Sequence, residues 1–532
     1  MEIKQSKDEL KQRRKEKGRN SVQRIIYGRT LMIALLVFLQ IFVLFIAYKY
    51  LSENVEVAYS TYVLSALIVV LIMINRGSNP NIQLSWGIII ALVPILGGLF
   101  YLYAEMQLIN TKAKRSLNRI YKDTISMVTQ NENAVNDLYK ANPGDANLAK
   151  YLFKYGRDSV EYAKEVTYYT SGEENFKDIL KALESAEKFI FLEYFIIKEG
   201  HMWGSILKIL KKKAQEGVDV RLIYDGMNTL ANLPYSYPKD LRKQGIKCKE
   251  FGHIRPLFST SYNYRDHRKI LVVDNKVAFT GGINFADEYI NKTHPFGYWK
   301  DTGIRITGEG VYSFTLMFLQ VWNASEKGKN YDLYKYIPQT PPEKRSASRL
   351  GGYVIPYSDG PLEKENMAKT IYLDMINRAE HTLEIMTPYL ILDYEMKMAL
   401  LYAAKRGVNV TLVLPHVPDK KYAFALAQNH YEELLNAGVR LYEFAPGFVH
   451  AKVCIADGRR ATVGSVNFDY RSLYLNFECG VLLIDCAEIK NISEDVAKTA
   501  YRSMLITREN YKKHRFWLRL MGKLLKPFAP LF

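Results

Sequence analysis

The sequence predicts an α/β protein in which N-terminal transmembrane helices precede two pseudo-symmetric α/β halves sharing one active site. Three observations carry this. His267-x-Lys269-x4-Asp274 recurs as His450-x-Lys452-x4-Asp457, and each copy reaches a glycine and an asparagine at equal distances: Gly281 and Asn284, then Gly464 and Asn467. Around the motifs, segments that read as helix end, glycine and β-branched strand also come in pairs. Ahead of them, three apolar runs lie within residues 31–103.

Residues 1–30 hold ten Lys or Arg against four Asp or Glu, a net +6 directly before an apolar run. The formal charge of +18 suits either nucleic acid or anionic lipid. Its concentration ahead of apolar sequence is a juxtamembrane pattern and argues against nucleic acid as a partner. The runs are 31–47, interrupted only by Gln40; 57–74, without charge; and 84–103, also uncharged but holding Pro94 and Gly97-Gly98. Each approaches the roughly 20 residues that cross a bilayer, so the expectation is a multi-pass protein of the cell membrane. The long charged leader and the lack of a small-residue cleavage site after the first run argue against a cleaved signal peptide. If all three runs cross, basic flanks of nine against six favour an outside catalytic part; if one is re-entrant, both flanks stay inside. Residues 104–165 read as a helical juxtamembrane linker.

The first catalytic half is placed at 166–335 and the second at 350–507. Between them, 331–351 is rich in Pro, Ser and charge, as linkers are. The strand-like run 189–197 answers 383–391. Residues 216–223 answer 406–413, and 241–246 answer 434–439; in both pairs a polar helix ends at glycine and a strand begins. The offsets are 194, 190 and 193, with 183 between the motif histidines, as one duplicated fold with loops of different length would give. Residues 508–532 form a basic amphipathic tail, expected as a helix lying on anionic lipid.

A single short motif of common residues arises by accident; two copies with the same downstream G-x-x-N do not. On a strand His and Lys, two apart, share a face. Two copies brought together would offer two imidazoles and two ammonium groups to one anion. A phosphodiester resists attack because its oxygens are anionic, so its transfer needs charge neutralisation, a nucleophile and an acid. Lys269 and Lys452 would neutralise, Asn284 and Asn467 would donate hydrogen bonds to phosphoryl oxygens, and no metal or other cofactor is required. Asp274 and Asp457, counted with the motifs' catalytic residues, lie seven positions beyond His and would face away on a regular strand; a structural role in a turn is at least as well supported.

These motifs, with Tyr298-Trp299-Lys300-Asp301, Thr387-Pro388-Tyr389, Gly464-Ser465-Val466-Asn467 and Leu475-Asn476-Phe477-Glu478, resemble the phospholipase D superfamily and, more closely, bacterial cardiolipin synthases. The likeness covers most of the chain from the third apolar run onward; residues 1–56 lie outside it. It implies a sandwich of two mixed sheets flanked by helices, with the site at the seam. It implies that one histidine forms a phosphohistidine while the other serves as acid and base, with His267 the nucleophile. It implies that Glu478, 28 residues beyond His450, orients His450. The equivalent first-half position is Pro295, so Asp301, or alternatively Glu288, is expected to orient His267. The activity implied is a phosphatidyltransferase that makes cardiolipin and glycerol from two phosphatidylglycerol molecules. The rivals are hydrolysis, in which water resolves the same intermediate, and a membrane-tethered nuclease. The motifs do not choose between transfer and hydrolysis. Cys248, Cys454, Cys479 and Cys486 lack the spacing of a zinc site or a disulfide framework and read as free thiols. The remaining histidines show no partner spacing.

Overall fold

The structure, a computed structural model, describes residues 42, 55–75, 79–92, 97–102, 110–229, 232–252, 264–324, 333–336, 351–361, 363, 365–513 and 516–531. The chain divides into two units, Met1–Thr111 with Ile254–Ser261, and Lys112–His253 with Tyr262–Phe532.

In the first unit the basic leader and the first apolar run lie outside the described residues, apart from Phe42. The second run is the helix Val55–Asn75. Its aliphatic part, 63–74, rises only about 18 Å against a hydrocarbon core of about 30 Å; before it come Glu56, Tyr59, Ser60, Thr61 and Tyr62. The third run, expected as one span, folds back on itself. Its helix Pro80–Leu92 is followed by a separate helical segment at 97–102. The Trp86 ring lies 5.3 Å from Phe100 and 5.6 Å from Tyr101. A straight helix would hold those residues about 21 Å apart. A Cβ on Gly97 would meet the Ile89 carbonyl at 2.8 Å, so the reversal uses its bare backbone. Among the described residues no helix is long and apolar enough to cross a membrane.

The second unit holds two sheets. In the first, the strands run Glu165–Tyr169, Gly303–Thr307, Val277–Gly281, Lys269–Val273, Phe189–Tyr194, Asp219–Asp225, Lys247–Phe251. The second contains the same succession: Tyr353–Asp359, Asn476–Ile484, Arg460–Gly464, Val453–Ala456, Thr382–Met386, Asn409–Pro415, Arg440–Phe444. Glu161–Tyr162 and Ser503–Ile506 extend its two edges. Both sheets are mixed: the motif strand pairs antiparallel with the strand after it and with Phe189–Tyr194 or Thr382–Met386, whose next neighbours run parallel.

Period-two alternation places the cores. Ile270 and Val272 face one way and join Val453, Ile455, Val463 and Val481 of the other half in a core between the sheets. Leu271 and Val273 face the other way, beneath the helices Gly172–Glu184 and His201–Gln215. Cys454 and Ala456 do the same beneath Met367–Arg378 and Tyr394–Lys405. Helices thus cover both outer faces of a two-sheet sandwich. The short helix Leu333–Tyr336 sets Tyr336 against Phe189 and Phe191, with centroids 5.1 and 5.0 Å apart. All four cysteines are free and buried.

The tail is docked on this unit. Its helix Phe516–Leu525 lies so close to the helix Lys421–Ala437 that a Cβ on Gly522 would sit 2.2 Å from the Ala425 carbonyl oxygen.

Candidate active site

Each motif strand is central in its sheet, and each histidine stands just before it. The backbone leading to each histidine leaves its own half and pairs with the other. Arg265–Asp266 runs parallel to Asn476–Phe477, and the His267 N–H donates to the Phe477 carbonyl at 2.9 Å. Gly447–Val449 runs parallel to Tyr298–Lys300, and the His450 N–H donates to the Lys300 carbonyl at 2.7 Å. The next residue beyond each accepting carbonyl is a carboxylate, Glu478 in one case and Asp301 in the other.

These carboxylates take the imidazole Nδ1 atoms across the seam. Glu478 Oε2 lies 2.8 Å from His267 Nδ1, and Asp301 Oδ2 lies 2.6 Å from His450 Nδ1. The expected pairing within each half, Glu478 with His450 and Asp301 with His267, is thereby corrected: the exchanged strands bring each carboxylate to the opposite histidine. Glu288, the alternative, instead pairs with Lys198 at 3.2 Å. With Nδ1 donating to a carboxylate, each ring keeps its Nε2 lone pair.

Both histidines and both motif lysines are buried. Burial pushes the His267 imidazolium down to about 4; Glu478 opposes this, and Lys269 and Lys452 add to it. Burial, reinforced by Lys452 and Lys269 and opposed by Asp301, pushes His450 down to about 3. Burial also lowers Lys269 to about 8, against the pull of Glu478, and Lys452 to about 7. For Glu478 and Asp301 burial works upward but is outweighed, chiefly by His267 and His450 respectively, so both carboxyls lie below their ordinary range. The resting site is therefore two neutral imidazoles between two anchored carboxylates, with ammonium groups poorly neutralised by protein. An entering phosphodiester anion would supply the missing charge.

Each lysine Nζ donates to the backbone carbonyl of its own motif histidine, Lys269 to His267 and Lys452 to His450, which curls each side chain back along its strand. Asn284 accepts from the Ile196 N–H at 3.0 Å and donates to the Tyr289 hydroxyl at 2.8 Å. Asn467 is buried and its amide oxygen has no protein partner.

The motif aspartates are placed elsewhere. Asp274 accepts from the backbone N–H groups of Glu187, Lys188 and Phe189 at 2.7–2.8 Å. Asp457 accepts from those of Glu380, His381 and Thr382 at 2.7–2.9 Å. Both sit in left-handed turns with φ 54°. Seven residues of extended chain put them about 23 Å from the histidines. Their inclusion with the catalytic residues is corrected: the motif strand lies between them and the histidines, and what they hold is the start of the neighbouring strand.

Spacing alone had not singled out several contributors. Ser465 Oγ donates to Glu478, and Asn476 Nδ2 donates to its other oxygen at 3.0 Å. In the first half Gly282 occupies the place of Ser465, where a Cβ would strike Asp301 Oδ1 at 2.0 Å. The aromatic rings of Phe195, beside His267 at 4.6 Å, and of Tyr289 and Trp299, each 5.4 Å from His450, wall the imidazoles. For Asn476 the sequence carries a signal: it precedes Glu478 by two, the same-face spacing of the strand Asn476–Ile484.

The profile described as "Cardiolipin synthase, PLD-like domain" matches residues 179–297 and 372–499, one match per half. A cardiolipin synthase of Alkalihalophilus pseudofirmus is 32% identical over 474 residues, covering 88% of this chain and 93% of that one. The chain belongs to the cardiolipin synthase family. An uncharacterized protein of Streptococcus mutans is 48% identical over 465 residues, 87% of this chain and 99% of its own. A solved structure, the phosphatidylserine synthase of Haemophilus influenzae, superposes with a TM-score of 0.53 at 15% identity, over 73% of this chain and 98% of that one, a likeness of fold. This member of the cardiolipin synthase family is thus a phosphatidyltransferase of the phospholipase D superfamily, built on two phospholipase D-like halves.

Proposed function

We propose that the enzyme makes cardiolipin by transferring a phosphatidyl group from one phosphatidylglycerol to the terminal glycerol hydroxyl of another. The observation that carries the reading is the crossed pair of histidine–carboxylate contacts, His267 with Glu478 and His450 with Asp301, beside two buried lysines. His267 Nε2 attacks phosphorus, the bond to the departing glycerol oxygen breaks, and His450 delivers the proton that this oxygen needs. The phosphohistidine is then resolved by the acceptor hydroxyl, whose proton passes to His450 as the new phosphorus–oxygen bond forms and His267 leaves. Two phosphatidylglycerols give one cardiolipin and one glycerol, with each proton returned. Lys269 and Lys452 offset the charge on the phosphoryl oxygens throughout, which is where preorganised cations act most strongly. Asn284 and Asn467 add amide donors.

His450 is neutral in the resting site, yet the first step needs its proton. The incoming anion offsets the two lysines that depress it and so raises the affinity of His450 for a proton once substrate is bound. The product is supported by the relatives named cardiolipin synthase.

The enzyme works at the cell membrane, with its apolar N-terminal helices seated in the bilayer. In support, Val63, Leu64, Leu67, Ile68, Leu71 and Ile74 on the helix Val55–Asn75 are 46–57% exposed, an arrangement that water disfavours and lipid accepts. The test is purified protein in micelles with labelled phosphatidylglycerol and, beside it, a labelled oligonucleotide. Cardiolipin with glycerol supports transfer. Phosphatidic acid with glycerol replaces it by hydrolysis, and oligonucleotide cleavage alone by nuclease action.

A further inference from the structure

The tail helix Phe516–Leu525 has apolar side chains on two faces, and only one is used by the fold. Gly522 is buried and Leu525 half-buried against the helix Lys421–Ala437. The following turn, Lys526–Leu531, buries Ala529 among Ile391, Ala423, Leu426 and Tyr470. At 3.6 residues per turn, Phe516, Leu520, Leu524 and Trp517 fall in one stripe of about 100° on the other side. They are 63%, 37%, 68% and 77% exposed. Four large apolar side chains facing outward from ten residues are not incidental surface, since lone exposed hydrophobes are ordinary but contiguous ones mark a partner.

The partner's chemistry follows from the charge. Residues 508–532 hold seven Lys or Arg (508, 512, 513, 515, 519, 523, 526) and one acid, Glu509, a net +6. Lys523 and Lys526 are exposed beside the stripe. An aromatic and aliphatic ridge flanked by cations fits an anionic bilayer surface, where Trp and Phe enter the headgroup boundary and Lys meets lipid phosphate. Tyr394, Met398 and Tyr402, each four residues from the next on the helix Tyr394–Lys405, leave another exposed stripe on a helix that also packs against Lys421–Ala437.

We infer that the C-terminal helix is a membrane-docking ridge: Phe516, Trp517, Leu520 and Leu524 enter an anionic bilayer while the opposite face clamps the second catalytic half. The clamp reaches toward the chemistry. Tyr389, packed on the same small cluster as Ala529, lines a pocket with Phe448, whose ring lies 5.9 Å from that of His450. The second half would thus be seated on the surface that holds its lipids. The inference rests on the proposed lipid substrate for its purpose, but its test does not depend on turnover.

The four native cysteines are buried, so a cysteine placed at Leu520 or Leu524 can be labelled alone with an environment-sensitive fluorophore in the full chain. The protein is reconstituted in vesicles of phosphatidylcholine with or without phosphatidylglycerol. Labels on Leu520→Cys and Leu524→Cys should shift to the blue and be quenched by lipid-borne quenchers in the anionic vesicles. A label on Lys208→Cys, on an exposed position of the first half, should do neither. Lys523→Gln with Lys526→Gln should weaken the anionic preference, by roughly fivefold per cation at low salt. A water-like signal at both tail positions would overturn the ridge, and equal insertion into neutral vesicles would overturn its selectivity for anionic lipid. Insertion without cardiolipin formation would leave the ridge standing and remove the proposed activity.

Discussion

Glu478 hydrogen-bonds His267, a residue 211 positions earlier in the chain and in the opposite half of the sandwich. Asp301 makes the reciprocal contact with His450. Neither half holds its own histidine. The active site is therefore complete only when the two halves are docked, and each carboxylate reports on the histidine it touches rather than on the motif it follows. Glu478→Gln should impair the His267 step and Asp301→Asn the His450 step, each by about 10²-fold or more with folding retained. The two can be told apart with a donor carrying a good leaving group. Such a donor needs little protonation, so it should restore much of the Asp301→Asn rate and little of the Glu478→Gln rate. The reverse pattern would return the carboxylates to their own halves.

His267→Ala should abolish transfer, a loss of at least about 10⁴-fold, and should leave no trapped phosphorylated enzyme. His450→Ala should slow turnover yet still accumulate phosphohistidine from an activated donor. Phosphate mapped to His450 in the wild-type protein would exchange the two roles.

How the sequence encodes this arrangement differs from part to part. The repeat was legible because strands and helix ends carry their own signals: Gly217, Gly245, Gly407 and Gly438 all take positive φ at the matched helix-to-strand turns. The motif histidines and lysines were legible because their spacing is that of one strand face. Partner choice was not. Spacing along the chain cannot say that Arg265–Asp266 pairs with Asn476–Phe477, because that pairing is a tertiary contact between halves. The third apolar run misled for a related reason: hydropathy records length and polarity, whereas the reversal that brings Trp86 to Phe100 depends on backbone approach at Gly97.

The pH profile of kcat/KM should be bell-shaped, since it reports the free enzyme. The acid limb comes from His267, which must be neutral to attack; with its imidazolium held down to about 4, activity rises as pH passes upward through that value. Above that value the profile falls, because the first step needs a proton on His450 and burial holds that imidazolium down to about 3 in the free enzyme; the fall steepens where cations are lost, Lys452 near 7 and then Lys269 near 8. In the profile of kcat the alkaline limb should move upward, because the bound phosphodiester favours both ammonium groups. An alkaline limb that stays fixed between the two profiles would remove the lysines from phosphate contact.

Activity should persist in EDTA, because Lys269 and Lys452 take the charge-neutralising part that a divalent ion plays elsewhere. Complete loss in chelator, restored by one defined divalent ion and no other, would overturn this division of labour.

The two motif aspartates should be separable from the chemistry. Asp457 accepts three backbone N–H groups at the start of the strand Thr382–Met386, and Asp274 accepts three at the start of Phe189–Tyr194. A bond to a charged acceptor contributes on the order of 1.5–3 kcal/mol, and the N–H groups left behind can partly recover with water. Replacing either aspartate by alanine should therefore cost about 2–4 kcal/mol of stability. The turn adds to the loss, since φ of 54° suits Asp or Asn better than alanine. Asn substitutions keep the turn and the acceptor but drop the charge, so they should fall between. For Asp457 burial works upward but is outweighed by the backbone donors of Thr382, Glu380 and His381, so its folded carboxyl lies below the ordinary range. Its contribution is present above the unfolded value, near 4, and is lost as pH falls through the folded one. The measurement is denaturant unfolding of each variant in detergent at neutral and acid pH, with turnover followed below the midpoint. Stability should drop while turnover per folded molecule stays near that of the parent. A fall in turnover of about 10²-fold at unchanged stability would bring the aspartates back into the reaction.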